Sequence, residues 1–128
     1  MGTASCPRKT ILVVEDDHAV RNMLETALRH YGFRVRPAGG GDEAVAVYER
    51  HRDTIDLVLL DVQMPRVDGP HTLARLQSMN PDVPCVFMSG HTGEYTAEQL
   101  LALGAAAVLA KPFPDLGQLI DLLREVMP

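Results

Sequence analysis

The sequence predicts an α/β domain of the doubly wound type, with five parallel strands each followed by a helix. Two observations carry that reading. Five apolar runs recur along the chain: "TILVVE" (10–15), "FRVRPA" (33–38), "DLVLLD" (56–61), "PCVFMSG" (84–90) and "AAAVLA" (105–110). Their central positions are nearly all apolar, as expected of parallel strands covered on both faces. Between the runs lie segments whose apolar residues repeat at helical spacing. Short connections and right-handed crossovers close such a (βα)5 chain into one sheet with helices on both sides.

The elements follow in order. The first strand runs into Glu15, Asp16 and Asp17, and Asp17 is placed to cap a helix over 18–31. Val20, Met23, Leu24, Ala27, Leu28 and Tyr31 share one face of that helix, and Gly32 stops it. The second run alternates and reads as an edge strand that Pro37 ends. "GGGDEAVAVYERH" (39–51) begins a second helix after a glycine-rich turn, with Asp42 as its cap. "PHTLARLQSM" (70–79) makes a third, with Pro70 suited to its first turn. "TAEQLLALG" (96–104) opens with the Thr-x-x-Gln capping-box pattern and closes at Gly104. "PDLGQLIDLLREVM" (114–127) is the last helix, with Leu116, Leu119, Ile120, Leu123 and Met127 as its apolar face.

The bulk numbers bound the function. At 128 residues, 46% hydrophobic and 23% charged, the chain is one globular domain, with residues 1–9 as a flexible leading segment and 10–128 as the domain. A net charge of -5 with no Lys/Arg run argues against a nucleic-acid-binding surface. No apolar stretch reaches the length of a membrane span, and "MGTASCPRKT" lacks the apolar core of a secretory leader. Cys6 and Cys85 read as reduced thiols, Cys85 as a small buried hydrophobe. A cytoplasmic protein is the expectation. His18, His30, His51, His71 and His91 show no zinc-type spacing.

In doubly wound sheets ligands bind beyond the carboxyl ends of the strands, at the topological switch point. At those ends stand Glu15 and Asp16, Asp61, Ser89 and Lys111. Any one of them alone reads as a cap or a solvated loop residue. Three acids, one hydroxyl and one lysine on the same sheet edge read differently. Clustered carboxylates repel one another, and a cation offsets that repulsion. The set suits phosphoryl transfer with Mg²⁺, which is held by one or two carboxylates plus phosphate oxygens. One carboxylate serves as nucleophile, while the lysine and hydroxyl hold the remaining phosphoryl oxygens.

Together, "ILVVEDD", "LVLLDVQMPRVDG", "VFMSG" and "AKPF" resemble the receiver domain of two-component response regulators, in the right order and over nearly the whole chain from Thr10 to Met127. The resemblance implies a flavodoxin-like fold with strand order 2-1-3-4-5. It implies that Asp61 is the phosphoacceptor, taking a phosphoryl group from the phosphohistidine of a sensor histidine kinase, from a phosphotransfer protein or from a small acyl phosphate. Glu15 and Asp16 become the acidic pair, with Asp16 a direct Mg²⁺ (or Mn²⁺) ligand and Glu15 acting through water; the backbone carbonyl of Gln63 is a further ligand. Lys111 contacts the phosphoryl group, Ser89 moves to meet it, and the Lys111–Pro112 bond is cis. His91 and Gln63 fall where receivers tune the path of attacking water.

Two positions depart from the family pattern. Many receivers carry an aromatic ring at the switch position that here is Val108. "LLALGAAAVLA" (100–110) lacks the charges of the self-complementary dimerisation face that some receivers use. The function implied is a phosphorylation-controlled switch, not an enzyme, that alters the surface formed by the fourth strand and helix and the fifth strand and helix, to control a downstream protein. Three rivals fare worse. A metal-dependent phosphohydrolase needs an acid where Gln63 stands, and a flavin or nucleotide module needs a glycine-rich loop where the acids stand. An inactive scaffold would not need the complete chemical set.

Overall fold

The computed structural model describes residues 8–90, 95–111 and 115–127. The elements are β1 (Thr10–Val14), α1 (His18–His30), β2 (Arg34–Ala38), α2 (Gly41–His51), β3 (Leu57–Asp61), α3 (Gly69–Met79), β4 (Cys85–Ser89), α4 (Ala97–Ala102), β5 (Ala107–Ala110) and α5 (Leu116–Val126). All pairings are parallel and the strand order is β2-β1-β3-β4-β5. The predicted fold class and order are the observed ones.

Alternation along each central strand explains the two-sided core. Leu12, Val14, Val58, Leu60 and Phe87 face one way and pack with Tyr48, Leu73, Leu76 and Leu100, from α2, α3 and α4. Ile11, Val13, Leu57, Leu59, Val86 and Met88 face the other way and pack with Leu24 and Leu28 of α1 and Leu119, Ile120 and Leu123 of α5. The central strands β1, β3 and β4 therefore bury both of their faces, which is why these three runs are continuously apolar. Cys85 lies in this core and burial pushes its thiol up, so it behaves as a hydrophobe. Among the described residues, no helix is long and apolar enough to cross a membrane.

The helix ends follow the local signals at most positions. The Asp17 carboxylate accepts from Ala19 and Val20 N–H at α1, and Thr96 and Gln99 complete the reciprocal capping box of α4. Gly32 and Gly104 sit at φ +95° and +111° just past α1 and α4, conformations that favour glycine.

Three expectations are corrected. Pro37 does not end β2 but lies within it, opposite Val13. Arg34 N–H donates to Lys9 and Ala38 C=O accepts from Glu15, so alternate residues bond β1 and Pro37 turns its missing donor to the open edge. Asp42 does not cap α2. Gly40 holds that position without a side-chain bond, while Glu43 reaches back to accept from Gly39 N–H at 2.8 Å and Asp42 pairs with Arg75 at 2.7 Å. Met23 and Tyr31 are each 41% exposed, so the apolar stripe of α1 is narrower than its pattern suggests.

The β1–β2 and β1–β3 neighbours make the gap between β1 and β3 the switch point, since the chain winds one way from β1 to β2 and the other way from β3 onward. The end of β3 is fixed tightly. A Cβ on Gly69 would collide with the Asp61 carbonyl oxygen and stand 2.9 Å from Val62 Cα, both backbone atoms that cannot swing aside. Gly69→Ala should therefore lower stability by roughly 1–3 kcal/mol through overpacking, measured by urea denaturation. Gly40→Ala, which meets nothing within 4 Å, should cost well under half as much.

Candidate metal centre at the strand ends

Each site residue is delivered by the end of a different strand. Glu15 directly follows β1, and its backbone is held by a bond to the Ala38 carbonyl and by Arg21 Nη1 donating to its own carbonyl at 2.9 Å. Asp61 closes β3, with Met88 of β4 as its register partner. Ser89 is the next residue of β4 and pairs with Ala110 of β5. Lys111 follows β5, and its N–H donates to the Ser89 carbonyl at 2.8 Å.

One oxygen from each of Glu15, Asp16 and Asp61 can be chosen so that all lie within 4.8 Å of one another. Glu15 is 1% exposed and Asp61 4%, whereas Asp16 faces solvent. An exposed acid beside two buried ones leaves a ligand set open to water on one side. That suits a hard cation that keeps part of its hydration shell.

Lys111 Nζ stands 2.5 Å from Glu15 Oε1 and 3.4 Å from Asp61 Oδ2. The lysine is thus bound chiefly to Glu15 and secondly to Asp61. Burial, and then the hydrogen bond and charge of Glu15, push the Asp61 carboxyl up to about 7. Burial also works to raise Glu15, but hydrogen bonds from Lys111, Asp61 and the Asp17 N–H outweigh it and hold Glu15 below its ordinary value. For Lys111 burial works downward, and the bond to Glu15 with the charge of Asp61 reverses it, leaving the ammonium raised. The cationic Lys111 and anionic Glu15 are one unit, and Asp61 carries the adjustable proton.

Gln63 follows Asp61 by two residues and is exposed in the β3–α3 connection. Val108 is half-buried in β5, against the face covered by α2, α3 and α4. His91, Pro112 and the bond between Lys111 and Pro112 lie outside the described residues, as does Cys6.

Four neighbours of the site were not read from the sequence. Gly69 abuts the backbone of Asp61, and Arg21 braces Glu15. Asp68 caps α3, accepting from the His71 N–H and lying 2.6 Å from its Nδ1, and it also accepts from Tyr95 Oη at 3.2 Å. Asp68 before Gly-Pro carried a legible capping signal. The Tyr95 contact, spanning 27 residues of sequence, carried none. Between Asp61 and Asp68 the loop makes a tight turn at Arg66, whose φ is +71°, with the Val67 N–H donating to the Pro65 carbonyl at 2.8 Å.

Comparison with known proteins matches residues 11–124 to the family described as the response regulator receiver domain. The chain is a response-regulator receiver domain. The receiver is 37% identical over 118 residues to the sensor kinase CckA of Brucella abortus, covering 92% of this chain and 12% of that protein. It is 38% identical over 118 residues to the transcriptional regulatory protein ZraR of Klebsiella oxytoca, covering 91% and 26%. The chain thus spans a minor part of these relatives' length. In structure it is similar to the chemotaxis protein CheY4 of Vibrio cholerae, with TM-score 0.84, 27% identity and coverage of 94% and 99%. It is also similar to a CheX–CheY complex with BeF₃ and Mg²⁺ from Borrelia burgdorferi, with TM-score 0.85, 27% identity and coverage of 92% and 88%. Receivers act generally as phosphoacceptor signalling domains and bind Mg²⁺ at an acidic pocket, and the Glu15, Asp16 and Asp61 cluster fits that ion.

The raised Asp61 makes a pH prediction with a definite sign. The folded carboxyl binds its proton more tightly than an unfolded aspartate, so its contribution to metal-free stability is fullest in acid and is lost as pH rises toward about 7. A cation ligand must be ionised, so metal binding competes with that proton. The rise in melting temperature produced by Mg²⁺ should be clearly larger at about pH 8 than at about pH 6. An equal rise at both would exclude protonation of a ligand carboxyl in this range.

Proposed function

We propose that this receiver is a Mg²⁺-dependent switch in which Asp61 accepts a phosphoryl group from the phosphohistidine of a sensor histidine kinase or phosphotransfer protein, or from a small acyl phosphate. The observation that carries the reading is the convergence of Asp61, Glu15, Asp16 and Lys111 at the switch point. Asp61, Asp16 and the Gln63 carbonyl would hold the cation directly and Glu15 would act through water. When bound, Mg²⁺ supplies positive charge to the carboxylate and phosphoryl oxygens. An Asp61 oxygen forms the new bond to phosphorus as the bond from phosphorus to the donor imidazole nitrogen breaks, and the electron pair returns to that nitrogen. No general base is needed, because the ionised Asp61 has its lone pair free.

Lys111 is the residue that changes partner. In the metal-free site it neutralises Glu15 and approaches Asp61. In the phosphorylated site its ammonium pairs with a phosphoryl oxygen and the Ser89 hydroxyl donates to another. The Lys111 N–H to Ser89 carbonyl bond ties the two responses together. The complex of the Borrelia CheY with BeF₃ and Mg²⁺ supports this use of the fold by a similar chain. In this reading Gln63, two residues after Asp61, and His91, two residues after Ser89, tune the phosphoryl lifetime.

The output reading follows from Val108. A β-branched side chain with one restricted χ has no ring to swing inward. The response therefore centres on Ser89 and the segment leading to α4, whose far end is tied to α3 through Tyr95 and Asp68. That segment changes the β4–α4 surface first and α4, β5 and α5 after it.

Intact-protein mass spectrometry after incubation with a small acyl phosphate tests the assignment. One added phosphoryl group is expected with Mg²⁺ or Mn²⁺, absent in Asp61→Asn and absent once divalent ions are removed. Equal labelling of Asp61→Asn, or labelling without divalent ions, would overturn it.

A further inference from the structure

At the opposite end of the sheet from the metal centre, Arg8, Arg29, Arg34 and Arg36 line a cleft of about 420 Å³, with Thr10 and Thr54 among its other walls. The residues come from four separate places: the start of β1, the last turn of α1, strand β2 and the α2–β3 connection. Arg29 is engaged, pairing with Glu25 at 2.8 Å and donating to the Val35 carbonyl. Among the described residues, the guanidinium groups of Arg8, Arg34 and Arg36 have no hydrogen-bond or ion-pair partner.

Ordinary roles cover only part of this. A helix C-terminus favours a cation, which accounts for Arg29. Charge on an exposed edge strand guards it against pairing with another chain, which accounts for one arginine on β2. Neither reason brings Arg8 to the same cleft. Two carboxylates that touch the lining are already used, Glu25 by Arg29 and Asp56 by the Thr10 N–H at 2.8 Å. The positive field extends further: slight desolvation, then the charges of Arg36 and Arg50, hold the His51 imidazole below its ordinary value. In a chain of net charge -5, unpaired positive charge is gathered in one concave place.

We propose that this cleft binds a small oligophosphate, two or more phosphoryl groups in series. Guanidinium forks match phosphoryl oxygens in geometry as well as charge, and several together outmatch a single ammonium. The volume suits a small ligand. Recognition rests on the phosphoryl groups and not on a stacked base, because Phe33 is only 6% exposed and its ring is already covered by the Arg124 guanidinium at 5.7 Å. Thr10 adds a hydroxyl at the wall, whereas the Thr54 hydroxyl already donates to the His51 carbonyl at 3.0 Å.

The test is a titration of the whole chain, stripped of divalent ions, with inorganic triphosphate, followed by calorimetry and backbone amide shifts. Saturable shifts are expected at residues 8–10, 29–36 and 54. The Arg34→Gln, Arg36→Gln double variant should bind at least roughly tenfold more weakly, with Mg²⁺-dependent phosphorylation retained. Absence of saturation, shifts centred on the acidic strand ends, or unchanged affinity in the double variant would overturn the proposal. So would equal shifts from sulfate at matched ionic strength, or tighter binding of a short single-stranded DNA at matched phosphate concentration.

Discussion

Two carboxylates side by side and almost wholly buried, Glu15 at 1% and Asp61 at 4% exposure, are the constraint on which the rest of this receiver depends. Such a pair is unfavourable without a proton or a cation between its members. Lys111 supplies the cation, and Asp61 holds its proton until the pH rises toward about 7. The fold is what makes the arrangement possible. Order β2-β1-β3-β4-β5 sets the ends of β1 and β3 beside each other, and β5 brings the lysine to the same edge from two strands away. The apolar central strands β1, β3 and β4, buried on both faces, hold those ends in place.

A site built on a strained charge balance is well suited to switching. Under the proposed function a divalent ion or a phosphoryl group would change which partner Lys111 prefers, and the contacts around the site give such a change a route outward. Asp61 touches Gly69 through its backbone, Gly69 begins α3, and Asp68 at the cap of α3 holds Tyr95 just before α4. On the other side the Lys111 N–H holds the carbonyl of Ser89. One route ends at Tyr95, just before α4, and the other at Ser89, the last residue of β4. Val108 is packed on the core and carries no ring.

Much of this was legible in the sequence because it rests on local signals. Continuous apolar runs marked buried parallel strands, Asp17 and Thr96 marked helix starts, and Gly32 and Gly104 marked stops. The acids stood at the strand ends where the fold puts ligands. What was misread depended on context. Pro37 breaks an interior strand but not the outer edge of one. Met23 and Tyr31 have the right spacing on α1, yet the sheet covers only the centre of the stripe. The bond of Lys111 to Glu15 joins residues 96 apart in sequence. The arginine cleft has no contiguous basic run to announce it, since four segments assemble it.

The central claim is that a cation, Lys111 or a metal, offsets the charge of the buried pair once Asp61 has given up its proton. Thermal and urea denaturation of Lys111→Met at about pH 8, with and without Mg²⁺, tests it most directly. Removing one partner of a largely buried ion pair leaves the other uncompensated, so metal-free Lys111→Met should lose about 2–4 kcal/mol. Mg²⁺ should restore most of that loss, and should stabilise the variant more than it stabilises the parent chain. A metal-free variant as stable as the parent, or a destabilised one that Mg²⁺ leaves unchanged, would contradict the account.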